Sequence, residues 1–177
     1  MGAPMVADLT DAGVIGIVGD REGALALARS LVMQSVAHCG PADLTLGVFF
    51  DRGKEDEWSW TSWLPHTRQS GSSTGGRWIS CDRDQSTAML KNLHQSIDGL
   101  LSPELLLLID SEVLTEGRDA PARELLGHGR HVNNYNQRKN IHRVSGIVIA
   151  SSTEQLPASC TVVIDVGDCL LYTSDAA

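Results

Sequence analysis

Apolar runs of strand length alternate along this chain with segments of helical period. That alternation predicts an α/β domain of three layers, a mainly parallel sheet with helices on both faces. Val14 to Gly19 reads as the first strand. The next segment, Glu22 to His38, sets Leu25, Ala28, Val32 and Val36 on one stripe with Leu27 and Leu31 beside it. That is the broad apolar face of a helix, which Gly40 and Pro41 bring to an end. Leu44 to Phe50 is a second strand, closing at Asp51, and a short helix over Asp56 to Leu64 is halted by Pro65. After a Gly and Ser loop at 70–76, Arg77 to Cys81 is expected as a strand and Asp84 to Leu100 as a helix with an acidic cap. Leu105 to Ile109 follows as a buried central strand that ends at Asp110. A helix over Ala120 to Leu126, a strand over Gly146 to Ala150, a helical turn over Glu154 to Leu156 and a strand over Thr161 to Val166 complete the series. No internal repeat interrupts it.

A strand, a glycine turn and a helix in succession form the arrangement that cradles phosphates, with the working pattern G-x-x-x-x-G-K-[ST]. From the end of the first strand the chain runs Gly19, Asp20, Arg21, Glu22, Gly23, Ala24, Leu25, Ala26. Leu25 stands where a lysine would reach the β and γ phosphates, and Ala26 where a hydroxyl would hold Mg²⁺. No lysine occurs before Lys54. Asp20 and Glu22 place carboxylates at the helix start, where they satisfy free N–H groups and the positive dipole end themselves, and only Arg21 offsets them. ATP hydrolysis by this chain is therefore not expected, and no catalytic residue or cofactor is assigned. The second nucleotide element, a buried strand ending in acids, has its outline in Leu105 to Asp110 followed by Ser111 and Glu112. Asp110 reads either as the acid of a metal-bound water or as a strand-end acid capping the next turn, while Ser111 occupies the place of the usual catalytic glutamate. A dinucleotide-binding alternative rests on Asp51, which closes the second strand where a ribose-binding acid would sit. Against it, Gly13, Gly16 and Gly19 recur every three residues and not as G-x-G-x-x-G.

The stretch EWSWTSWLPH, from Glu57 to His66, is the most distinctive in the chain. On a helix Trp60 and Trp63 share a face and Trp58 points elsewhere, so one or two rings are expected to pack into the sheet. The sharper reading makes Trp58, Trp60, Trp63, Pro65 and His66 a docking surface for a neighbouring domain.

A length of 177 residues with 42% apolar and 20% charged residues suits one globular domain with a real core. The net charge of −8 excludes a generally basic, polyphosphate-binding surface. The basic exception is the stretch 127–143, where Arg130, Arg138, Lys139 and Arg143 surround Tyr135, either as a solvated loop or as a contact for DNA phosphates or an acidic partner. His128, His131 and His142 lie in the same stretch without a third fixed ligand, and no metal is assigned. Cys39, Cys81, Cys160 and Cys169 form neither a disulfide framework nor a zinc spacing, which suggests a reducing setting. No signal peptide or spanning segment is read. Residues 169–177, CLLYTSDAA, are set apart, because one codon choice for them resembles a transposase adapter used in preparing sequencing libraries. On that reading residues 1–168 are the domain, a fragment of a longer protein; the alternative is a natural short tail.

GIVGDREGALALARSLV, PADLTLGVFF, EWSWTSWLPH, LLLIDSEVLTEGRDAPARELL and VSGIVIASSTEQLPASCTVVIDV, in this order, resemble a degenerate domain of actinobacterial FtsK/SpoIIIE-type ATPases. Those proteins include forkhead-associated-domain FtsK proteins and the EccC motor of type VII secretion. The likeness spans nearly all of Val6 to Val166, with EWxWxxWLPH its most specific part. It implies a RecA-like P-loop fold in degenerate form, partnered by other domains of one motor chain. It further implies a homo-oligomer, a hexamer, that moves DNA or secreted protein and sits on the cytoplasmic side at the inner face of the cell membrane. The stretch 127–143 is longer than the family pattern.

Overall fold

The computed structural model describes residues 13–97, 103–117, 119–128, 144–167 and 171–175. Along the chain these form β1 (Val14–Gly19), α1 (Arg21–His38), β2 (Leu44–Phe50), α2 (Glu55–Trp58), β3 (Ile79–Ser80), α3 (Arg83–Ser96), β4 (Glu104–Asp110), α4 (Pro121–His128), β5 (Val144–Ile149), β6 (Val162–Val166) and β7 (Leu171–Asp175). The strands make one sheet in the order β3-β2-β4-β5-β1-β6-β7. Six of them run parallel, and β7 alone is antiparallel, against β6. Both β4 and β5 therefore lie between β1 and β2, and the carboxyl ends of β1, β2, β4 and β5 open on the same side of the sheet.

The apolar character of the strands follows from burial on both faces. In β4, Leu105, Leu107 and Ile109 enter one core with Leu90 and Leu93 of α3 and Leu125 and Leu126 of α4. Leu106 and Leu108 enter the other with Ala24, Leu25, Ala28 and Val32 of α1 and with Trp58. Helices thus cover both faces, as the alternating pattern predicts. Each such buried large side chain stabilises the fold by roughly 1.5–3 kcal/mol. Gly146 sets how close α4 can come, since a Cβ there would lie 2.4 Å from Leu126 Cδ2. In the same core, burial pushes the Cys160 thiol up to about 12, which leaves it protonated and inert.

The tryptophan segment departs from the predicted helix over Asp56 to Leu64. It is one turn of α-helix, α2, followed by 3₁₀ turns at Ser59–Trp63 and Pro65–Thr67. Side-chain hydroxyls compete for the carbonyls: Thr61 Oγ1 donates to Trp58 O at 2.6 Å and Ser62 Oγ to Ser59 O at 2.7 Å. The strand expected over Arg77 to Cys81 shrinks to Ile79–Ser80, because Arg77 bridges antiparallel to Arg68 and the Trp78 N–H donates to Thr67 O. Part of the segment set apart as a tail is ordered in the sheet: Leu171–Asp175 pairs with β6 along its whole length, from Val166↔Leu171 to Val162↔Asp175. The helix predicted to reach Leu100 is α3, which ends at Ser96 with Ile97 as its C-cap; residues 98–100 lie outside the described residues, as do His131, His142 and the basic residues Arg130, Arg138, Lys139 and Arg143 with Tyr135.

Candidate functional site

Gly19 to Ala26, read as the outline of a phosphate loop without its chemistry, pass almost directly from strand to helix. Gly19 ends β1, Asp20 is the N-cap of α1, and the helix begins at Arg21, so Arg21, Glu22, Gly23, Ala24, Leu25 and Ala26 make its first turns. A phosphate loop needs several residues of non-helical backbone whose N–H groups converge on an anion; here one residue separates strand from helix. Asp20 accounts for the difference. Its carboxylate accepts the Gly23 N–H at 2.9 Å and caps the helix at once. Its own N–H donates to Val166 O at 2.8 Å, tying the junction to the end of β6. Gly19 holds φ +106°, and a Cβ there would stand 2.4 Å from Val166 O. Leu25 and Ala24 are core residues on the inner face of α1, while Glu22 and Ala26 are exposed.

The carboxyl end of β4 carries the centre of the cleft. Asp110 is 1% exposed. Arg21 donates to both of its carboxylate oxygens, Nη1 to Oδ1 at 2.8 Å and Nη2 to Oδ2 at 2.6 Å. Trp58 Nε1 donates to Oδ2 at 2.9 Å, and Lys54 Nζ to Oδ1 and to the Asp110 carbonyl, each at 3.0 Å. Burial alone would raise this carboxyl, but the hydrogen bonds from Arg21, Trp58 and Lys54 outweigh it and hold Asp110 below the ordinary carboxylate range. Arg21 is in turn held more firmly protonated, chiefly by its bonds to Asp110, with a further ion pair to Glu57. The arginine that opens α1, the strand-end acid and the tryptophan segment are therefore one cluster. Sequence reasoning named Arg21, Asp110 and Trp58 separately, and it missed Lys54 and Glu57. The signal that would have found them is topological, since turns at the carboxyl ends of parallel strands converge.

The other candidate residues are also engaged. Asp51 accepts Ser111 Oγ at 2.6 Å and lies 3.7 Å from Lys54. Glu112 accepts Ser151 Oγ at 2.9 Å and Gln155 Nε2 at 3.0 Å, binding the turn after β5. A cavity of about 310 Å³ remains, lined by Gly19, Arg21, Lys54, Asp51, Asp110 and Glu112 among others. Of its charged walls, three are carboxylates and two are cations.

The proposed docking residues divide. Trp58 is fully buried against the sheet and His66 is 7% exposed with Nε2 2.8 Å from Cys39 O, so neither belongs to a surface. Trp60 is half-buried, its indole 6.4 Å from that of Trp58. Only Trp63, 85% exposed, and Pro65 face outward. Among the described residues no group of three or more His, Cys, Asp or Glu is disposed to hold a metal ion, and no helix is long and apolar enough to cross a membrane.

No family model and no curated protein matches the chain. Several solved structures do resemble it. ATPases 2 and 3 of Thermomonospora curvata EccC, solved in complex with a signal sequence peptide, superpose with a TM-score of 0.64 at 16% identity, covering 94% of this chain and 32% of that one. The cytoplasmic domain of the type VII secretion ATPase EccC from the same organism gives a TM-score of 0.65 at 15% identity, covering 94% and 21%. EssC ATPases 2 and 3 from Geobacillus thermodenitrificans give 0.64 at 12% identity, covering 90% and 32%. The chain thus spans a third or less of each, and it has the α/β fold of their ATPase domains.

Proposed function

We propose that the chain is a non-catalytic structural or regulatory domain of an FtsK/SpoIIIE-type translocation motor, one that moves DNA or secretes protein by a type VII route. The observation that supports this most is Asp110. In a working site of this fold the acid at the end of this strand holds the hydrated metal. Here an arginine from the helix N-terminus, a lysine from the β2 turn and a buried indole occupy its oxygens. The chemistry that would bind a triphosphate has been replaced by contacts within the chain, which fasten α1, the tryptophan segment and β4 to one another. Its partners on this reading are other domains of the same motor chain. The hexameric assembly, the DNA or protein substrate and the position at the inner face of the membrane belong to that longer protein.

Calorimetry with Mg-ATP, together with an assay of phosphate release, tests the proposal. The expected result is no saturable heat up to about 1 mM nucleotide, equivalent to binding weaker than about 4 kcal/mol, and no turnover above that of a Lys54→Ala, Arg21→Ala double variant. Turnover that the double variant abolishes would overturn it. Binding without hydrolysis is the second reading, of a nucleotide or of a dinucleotide held at Asp51, and the 310 Å³ cavity favours it. The excess of carboxylates over cations in that wall weighs against any polyphosphate. Saturable heat with ATP or NAD but no turnover would select it.

A further inference from the structure

Arg68 and Arg77 stand directly opposite each other, as an antiparallel pair, where the chain doubles back between the tryptophan segment and β3. The ladder bonds lie to either side of them: the Trp78 N–H donates to Thr67 O at 2.7 Å and the Gln69 N–H to Gly76 O at 2.9 Å. The two arginines are therefore the kind of pair in which the backbones come closest and both side chains leave on one face. Like charges so placed repel, and the repulsion costs stability unless an anion stands with them.

The chain itself supplies none. It carries 22 acids against 14 lysines and arginines, yet among the described residues neither arginine has a carboxylate partner. Arg77 Nη1 donates to neutral acceptors, Leu64 O at 3.0 Å and Thr67 Oγ1 at 2.9 Å. Its remaining donors, and the whole exposed guanidinium of Arg68, have no acceptor among the described residues. The turn that joins the pair, residues 69–76, reads QSGSSTGG, so it adds hydroxyls and no acid. Gly71 and Gly75 hold φ +81° and +71° in it, with nothing within 4 Å of where a Cβ would stand. Ser73 and Thr74 are exposed at its tip, and among the described residues their N–H groups are unpaired.

Two facing guanidinium groups call for close to two negative charges on one compact oxyanion, which a phosphate monoester carries near pH 7. The net charge of −8 selects against a nucleic acid, whose many phosphates would meet a repelling surface, whereas a single phosphate meets the arginine pair alone. We propose that Arg68, Arg77 and the turn 69–76 form a binding site for one phosphate group, free or as a monoester. None of these residues lines the cavity at Asp110, and the site does not depend on the motor reading.

Amide correlation NMR of the intact ¹⁵N-labelled chain, titrated with phenyl phosphate at constant ionic strength, tests the site. Saturable shifts should centre on residues 68–77, with Kd on the order of 5 mM. Arg68→Gln should weaken binding at least about fivefold, and dimethyl phosphate, a diester with one charge, should bind the intact chain more weakly by a similar factor. Inorganic phosphate separates the two sources: equal affinity assigns the site to the phosphate group alone, and tighter binding of phenyl phosphate assigns it to a monoester. Melting curves in phosphate-free buffer add a sign that a structural arginine would not give. Arg68→Glu turns a repelling pair into an attracting one, so it should raise the midpoint while abolishing binding. Absence of saturable shifts, shifts centred instead on Arg21 and Lys54, or affinity indifferent to Arg68→Gln would overturn the inference. So would a lowered midpoint in Arg68→Glu, since the fold would then need that arginine without any ligand.

Discussion

Asp110 and Asp165 stand at the carboxyl ends of parallel strands in one sheet, and their surroundings are opposite. Asp110 closes β4 in the middle of the sheet, buried, with Arg21, Lys54 and Trp58 all donating to it. Asp165 is the next-to-last residue of β6 near the margin, exposed and without a partner among the described residues. A carboxylate taken out of water at the centre must be compensated several times over, and the compensation fastens the elements around it. One left in water at the edge needs nothing and remains available. The interior of this cleft is thus organised for cohesion.

The sharpest way to break the comparison is to remove each carboxylate in turn. Asp110→Ala strands a guanidinium and an ammonium in a half-buried cluster and leaves an indole N–H unpaired, and it should cost about 3–5 kcal/mol in urea unfolding. Asp165→Ala should stay within about 0.5 kcal/mol. The pH dependence of stability reports on Asp110 as well. Asp110 titrates lower in the folded chain than the ordinary 3.8, so the unfolded state binds the proton more readily. Its contribution is fully present above that value and is lost as pH falls through the lower, folded value. Asp110→Asn should therefore flatten the fall in stability below about pH 4.

A second, smaller effect separates a glycine kept for phosphate from one kept for packing. Gly19 combines φ +106° with a position at which a Cβ would stand only 2.4 Å from Val166 O. Gly19→Ala should destabilise by about 3 kcal/mol with no nucleotide present, because the strain lies between β1 and β6. A melting temperature unchanged by Gly19→Ala would mean that the junction is looser than the Asp20 to Val166 hydrogen bond implies.

Much of the fold was legible because both-face burial writes itself as unbroken apolar strands: β1 and β2 fall where their patterns put them. β3 was overdrawn, since its sequence cannot reveal that Arg77 and Trp78 are claimed by Arg68 and Thr67. For the site, the missing lysine and hydroxyl at Leu25 and Ala26 were plain. What replaced them was not. Arg21 appears in sequence as a charge offsetting two acids beside it, but its bonds run 89 positions along the chain to Asp110. Helical phase likewise sorted the tryptophans without saying which side faced inward, because hydroxyl bonds at Thr61 and Ser62 turned the segment to 3₁₀.

The least costly change is also the most discriminating for the tryptophan segment. Trp58 and Trp63 lie five positions apart, one fully buried on Asp110 and the other 85% exposed. Trp58→Phe keeps most of the ring and removes one bond to a carboxylate that Arg21 and Lys54 still hold, so it should cost about 1.5 kcal/mol. Trp63→Ala removes a larger side chain yet should change stability by less than about 0.5 kcal/mol, since the isolated chain gains little from an indole in water. The 3₁₀ turn beneath it is fixed by the Leu64 N–H on Thr61 O and by Thr67 Oγ1 on Leu64 O at 2.9 Å, neither of which involves the indole. If Trp63→Ala instead lowers stability by 2 kcal/mol or more, a magnitude that marks lost packing, the ring is a structural element of this chain and not a surface held ready for another domain.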